Sequence, residues 1–164
     1  METLDLTKLY ELQKQLDLTI AQNHNVTYST TRTSRTLSLL VEMGEFCNET
    51  RCFKYWSNKG PSPKDVCLEE FADALHFFLS LGIDIGVGNK VFNIEKLDEK
   101  PNEIFLNCYK LIIDFVNNRD ELHYREAFTL FLNLGLTLGF TSDDIKKAYL
   151  KKLDKNYVRQ ETNY

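Results

Sequence analysis

No apolar run in this sequence approaches the ~18 residues that a membrane-spanning helix needs. The N-terminus lacks a charged region followed by an apolar core, so no signal peptide is expected, and the chain is read as cytoplasmic. An excess of basic residues is missing too. Twenty Lys and Arg stand against 24 Asp and Glu, for a net charge of −4. That balance argues against a surface that coats nucleic acid, whose backbone is bound by excess positive charge. It leaves small anionic substrates open, provided a metal offsets the charge. Four cysteines, Cys47, Cys52, Cys67 and Cys108, form no Cys-x-x-Cys pair, and only three histidines accompany them. A structural zinc site is therefore not expected. The thiols are read as reduced, with disulfide pairing as the alternative. Internal repeats and low-complexity tracts are also absent.

What is present is enough for one domain with a real core: 164 residues, 43% hydrophobic and 12% aromatic. Leu4, Leu9, Leu12, Leu16 and Ile20 give a helical stripe. Residues 27–36, rich in Ser and Thr, read as a loop. The helical period restarts at Leu37 and runs to about Arg51. Gly60-Pro61-Ser62-Pro63 is a break, with Ser62 as N-cap and Pro63 at the first position of the next helix. That helix carries Val66, Leu68, Phe71, Ala72, Leu75, Phe78 and Leu79, and Gly82, Gly86 and Gly88 end it. Pro101 starts another helix, which Asn117 and Asn118 break. A further helix runs from about Arg119 to Leu136. Thr141-Ser142-Asp143-Asp144 resembles a capping box for a last one. The pattern predicts an all-α bundle of about six helices with no strand.

Two acidic pairs stand out. Glu42 and Glu45 are three apart on one helix, and Glu70 and Asp73 are three apart on the next. Residues at that spacing share a helix face, and Glu49 extends the first stripe. Such pairs are most often solvated surface. Here, however, Glu70 and Asp73 sit among Phe71, Ala72, Ala74, Leu75, Phe77, Phe78 and Leu79, in a helix apolar almost all round. Buried acids need a counter-charge, and no Lys or Arg lies within that stretch. Convergence on a hard cation, Mg²⁺, is the better explanation. A metal so held polarises phosphoryl oxygens, and a carboxylate it does not fully use, Glu45 or Glu49, can take the proton of an attacking water.

Glu-x-x-Glu followed by Glu-x-x-Asp resembles the signature of the all-α nucleoside triphosphate pyrophosphatases, the MazG-like superfamily. Within it the chain looks like the dimeric dUTPases of phages and Firmicutes. Leu12-Gln13-Lys14-Gln15-Leu16-Asp17, Phe53-Lys54-Tyr55-Trp56 and Asp73-Ala74-Leu75-His76-Phe77 carry the closer match. So do Lys152, Asn156, Arg159-Gln160 and Tyr164, although Asn163 stands where the family usually has Gly. The match spans nearly the whole of 1–164 as a single domain. It implies Mg²⁺-dependent hydrolysis of dUTP to dUMP and pyrophosphate, and of dUDP to dUMP, by water attack on the phosphate chain. Glu42, Glu45, Glu70 and Asp73 would hold Mg²⁺, with Glu49 near the water. Gln13 and Asp17 would lie near the nucleoside, and Trp56 and His76 beside the base or sugar. Lys54, Lys152, Asn156, Arg159 and Tyr164 would meet the phosphates, with 157–164 as a closing tail. The resemblance also implies a homodimer, leaves room for a regulatory protein partner, and suits the cytoplasm of a bacterium or phage-infected host.

Three rivals follow from the same residues. One is a sister enzyme acting on another nucleotide such as dCTP. Another is a di-metal bundle built on Asp73-x-x-His76 and Asp120-x-x-His123. The third is a helical module that binds a protein through its acidic face. Each candidate also has an ordinary alternative: Trp56 and His76 as interior packing, Lys54 as a solvent charge flanking a loop, and Lys152 and Arg159 as a solvated end.

Overall fold

The computed structural model describes residues 1–162. Its elements run β1 (Glu2–Asp5), α1 (Thr7–His24), α2 (Tyr28–Thr50), α3 (Lys64–Ile85), β2 (Val91–Ile94), α4 (Pro101–Asn118), α5 (Glu121–Thr137) and α6 (Ser142–Glu161). The all-α expectation holds, with six helices among the described residues. The small sheet is a correction: β1 pairs antiparallel with β2, Leu4 opposite Phe92. Leu4 therefore belongs to a strand rather than to a helical stripe. Leu4, Phe92 and Ile94 are buried, and four-residue strands carry too little alternation to be read from the sequence.

The Ser/Thr-rich segment 27–36 is likewise not a loop. Thr27 and Thr30 form a reciprocal capping box, and helix begins at Tyr28. The hydroxyls that suggested a loop are turned back onto the helix. Thr31 donates to the Thr27 carbonyl at 2.7 Å, and Thr36 to the Arg32 carbonyl at 2.8 Å. Ser62 does not cap α3. Pro63 is the N-cap, and the Ser62 hydroxyl donates instead to the Glu49 carboxylate. Gly82 does not end α3 either; the helix continues to Ile85 and stops at Gly86, whose φ of 75° is open to glycine at no steric cost. Arg119 lies between helices, and α5 is capped by Asp120. Thr141 and Asp144 do form the expected box at the start of α6.

Helix α3 is the axis of the bundle, packed by α1, α2, α5 and α6. Its apolar circumference is buried as the sequence required: Phe71, Ala72, Ala74, Leu75, Phe78 and Leu79 are all inside. Phe71 stacks on Phe131 of α5 at 4.2 Å between ring centroids, and Phe78 stacks on Phe128 at 4.9 Å. No helix among the described residues is long and apolar enough to cross a membrane.

Candidate active site

Helices α2 and α3 run antiparallel. Arg35 of α2 pairs with Asp84 near the end of α3 at 2.8 Å, while Glu42 and Glu45 further along α2 meet Glu70 near the start of α3. Ligand atoms of Glu42, Glu45 and Glu70 all lie within 4.8 Å of one another. One oxygen of Glu42 and one of Glu70 are buried without a hydrogen-bond partner. Burial, then the neighbouring Glu45, Asp73 and Glu70, push Glu42 up to about 8. Burial, then Asp73 and Glu45, push Glu70 up to about 7. Three clustered carboxylates, two of them with an unpartnered buried oxygen, are a donor set suited to a hard divalent cation, and the residues fit one. Among the described residues no other group of acidic, His or Cys side chains gathers in this way.

Asp73 adjoins this cluster but is held differently. Its carboxylate accepts from Lys152 of α6 at 2.9 Å, and the same ammonium reaches Glu69 at 3.1 Å. Lys152 is only 4% exposed. The absence of a cation near Asp73 in the sequence is thus corrected by one 79 positions away in the chain, a distance set by the two residue numbers. Burial still raises the Asp73 carboxyl above its ordinary value, with Lys152 opposing it.

On one side the acids open into a cavity of about 650 Å³ between α1, α2, α3 and α6. Gln13, Asp17, Glu42, Asp73, His76, Asn156 and Arg159, all read from the sequence, line it together. His76 is buried and stacks on Tyr149 at 4.3 Å, with neither ring nitrogen hydrogen-bonded. Burial lowers it to about 3, so the ring is neutral. On the other side Glu45, Glu49 and Glu70 line an open groove with Val41, Gly44 and Asn48. Glu49 is anchored there by Ser62. The acid cluster therefore stands between a nucleoside-sized cavity and a polar groove.

Some expected residues are not brought to the cavity. Lys54 and Trp56 lie in the 51–63 connection, and Trp56 is 65% exposed against Phe53 and Tyr55. Tyr164 lies outside the described residues. Residues 157–161 of the expected tail are the last turns of α6. Asp120 and His123 pair with each other at the surface end of α5 and do not join Asp73 and His76 in a metal-binding group, which removes the di-metal reading. Tyr28, Arg35, Phe77 and Ser80, not singled out as site residues from the sequence, also line the cavity. The signal available was the basic pair Arg32 and Arg35 at helical spacing, hidden by reading 27–36 as a loop.

An all-α bundle with a carboxylate cluster at the mouth of such a cavity is suited to metal-assisted chemistry on a small anionic substrate. A protein-family model described as dUTPase matches residues 5–164, and the chain belongs to that family, the all-α dUTPases. It is a dUTP diphosphatase, converting dUTP to dUMP. A search of curated proteins found no match to the chain.

Proposed function

We propose that this dUTPase works with Mg²⁺ held by Glu42, Glu45, Glu70 and Asp73, hydrolyses dUDP as well as dUTP, and acts as a cytoplasmic homodimer. The observation that carries the metal is the gathering of Glu42, Glu45 and Glu70 with two buried oxygens left unpartnered. Bound there, Mg²⁺ would polarise phosphoryl oxygens and neutralise charge on the phosphate chain. The protein's own groups do the rest. Glu49, with one oxygen occupied by Ser62 and facing the groove of Glu45 and Glu70, takes the proton of the attacking water; Glu45 is the alternative base. Arg159 and Asn156 from α6, joined by Lys152, meet the phosphates, and the planar guanidinium suits paired phosphate oxygens. Lys54 and Trp56 reach the nucleotide when the 51–63 connection folds in over the acidic groove, to which Ser62 already ties it. Gln13, Asp17 and neutral His76 face the uracil and sugar.

Cleavage of dUTP then releases pyrophosphate, and cleavage of dUDP releases phosphate. Release of both, measured with and without Mg²⁺ for the wild type, Glu70→Ala and Asp73→Ala, tests the proposal. Both activities should require the cation and fall by roughly a hundredfold or more in each variant. Hydrolysis that persists without a divalent cation, or survives both substitutions, would overturn the metal assignment.

A further inference from the structure

The cavity wall contains a chain of hydrogen bonds that begins outside the cavity, at Asp84. Asp84 accepts from Arg32 at 2.9 and 2.7 Å and from Arg35 at 2.8 Å. Arg35, so held, donates to the Tyr28 carbonyl at 2.6 Å and lies 4.9 Å from the Tyr28 ring centroid. Tyr28 donates its hydroxyl to Asp17 Oδ2 at 2.9 Å, and Gln13 Nε2 donates to Asp17 Oδ1 at 2.9 Å. Tyr149 closes the chain by donating to Gln13 Oε1 at 3.0 Å. Gln13, Asp17, Tyr28 and Arg35 all line the cavity.

A primary amide presents a donor beside an acceptor. If free to flip, it serves uracil, with N3–H beside O4, and cytosine, with N3 beside an N4–H, equally well. Here one orientation is selected: the oxygen faces a hydroxyl and the nitrogen faces a carboxylate that accepts on both oxygens. The flipped arrangement is nonetheless within reach. The Tyr149 hydroxyl also lies 3.4 Å from the Leu9 carbonyl, to which it can turn its hydrogen while accepting from Gln13. The flip then needs a proton on Asp17, to donate to the Gln13 oxygen.

We propose that Tyr28, held by Arg35 and Asp84, is a positioning residue for base selectivity: its hydroxyl keeps Asp17 purely an acceptor, which locks the Gln13 amide in the orientation that reads uracil and turns cytosine away. This rests on the reading of Gln13 as the residue that meets the base. The groups acting on Asp17 are Gln13 from α1, Tyr28 and Arg35 from α2, Ser80 from α3 and Tyr149 from α6; Glu42, Asp73, neutral His76 and Arg159 line the same cavity, and Asp84 acts on Tyr28. Burial raises the Asp17 carboxyl above its ordinary value. Hydrogen bonds from Gln13, Tyr28 and Ser80 and the Arg35 charge oppose that rise. Removing the Tyr28 hydroxyl takes away one opposing bond, so Asp17 then carries its proton to higher pH.

The test is kcat/KM for dUTP and dCTP at about pH 6 and about pH 8 in the Mg²⁺-supplied wild type, Tyr28→Phe, Asp17→Asn and Gln13→Ala. Tyr28→Phe should lose about tenfold of the preference for dUTP at the lower pH and regain it at the higher one, with the change falling on KM more than on kcat. Asp17→Asn, whose amide can meet either orientation of Gln13, should lose the preference at both. If Tyr28→Phe stays as selective as the wild type while Gln13→Ala does not, the lock is wrong and the base-reading role of Gln13 stands. A loss in Tyr28→Phe that ignores pH assigns Tyr28 to packing and also overturns the lock. A Gln13→Ala enzyme with wild-type preference overturns the base-reading role itself.

Discussion

Glu42 and Glu70 carry a consequence for stability that can be worked out from their environment. Without a cation the folded protein holds protons on these groups up to about 8 and about 7, whereas the unfolded chain releases them near 4.5. Between those limits the native state binds more protons than the unfolded one, so stability falls as pH rises from about 5 to about 8. Mg²⁺ binds the ionised carboxylates and should remove that slope, giving a larger rise in melting temperature at about pH 8 than at about pH 5.5. Glu42→Gln removes one buried charge and should melt higher than wild type in the metal-free state at about pH 8, while losing roughly a hundredfold or more in activity. Thermal melts at both pH values, with and without Mg²⁺, check this. A metal-free wild type whose melting temperature climbs across that range contradicts the sign.

At the scale of elements, the long helices were legible because their apolar period is continuous, and α3 above all, since it is apolar almost all round. The acidic pairs were legible for the same reason: acids inside such a helix require a partner. What was hidden came from contacts between distant segments. Lys152 reaches Asp73 only because α6 packs on α3. The start of α2 was masked because Ser and Thr have weak helix preference until their hydroxyls find backbone carbonyls. Gly82 misled as well: its role is close approach, not termination. A Cβ there would lie 2.3 Å from the Tyr124 hydroxyl oxygen and 3.1 Å from the Tyr10 ring. Tyr124 cannot retreat, being fully buried and bonded to Tyr10 at 2.7 Å and to the Phe78 carbonyl at 2.8 Å. Alanine ordinarily favours a helix over glycine by about 1 kcal/mol. Here overpacking outweighs that gain, and Gly82→Ala should destabilise by about 2 kcal/mol in urea unfolding. Adding Tyr124→Phe should recover only part, because the ring carbon bearing the hydroxyl is also crowded, at 2.5 Å. A Gly82→Ala protein as stable as wild type would mean that α3 and α5 separate more easily than this packing implies.

For the whole molecule, the surface argues for the proposed dimer through α2 and α4. Leu106, Tyr109 and Ile113 fall at i, i+3 and i+7 on α4, one stripe of that helix. Tyr109 donates to the Leu40 carbonyl at 3.3 Å, which brings the stripe against α2, where Leu37 and Val41 are exposed one turn apart. Leu106 and Ile113 are exposed too. Together these side chains make an apolar face that none of the described residues covers, the kind of surface that a second copy covers through a self-complementary contact. Val41 also lines the acidic groove, so pairing there would place the partner beside the site. Leu106 and Ile113 line neither the cavity nor the groove, which makes them the cleaner probes. Sedimentation equilibrium should give the wild type twice the 19.2 kDa chain mass. The Leu106→Glu, Ile113→Glu double variant should sediment at the single-chain mass, because two carboxylates per copy would face each other across the contact. A monomeric wild type would end the dimer proposal. A double variant that remains dimeric would move the interface to another face, with the exposed Phe53, Tyr55 and Trp56 cluster the next surface to substitute.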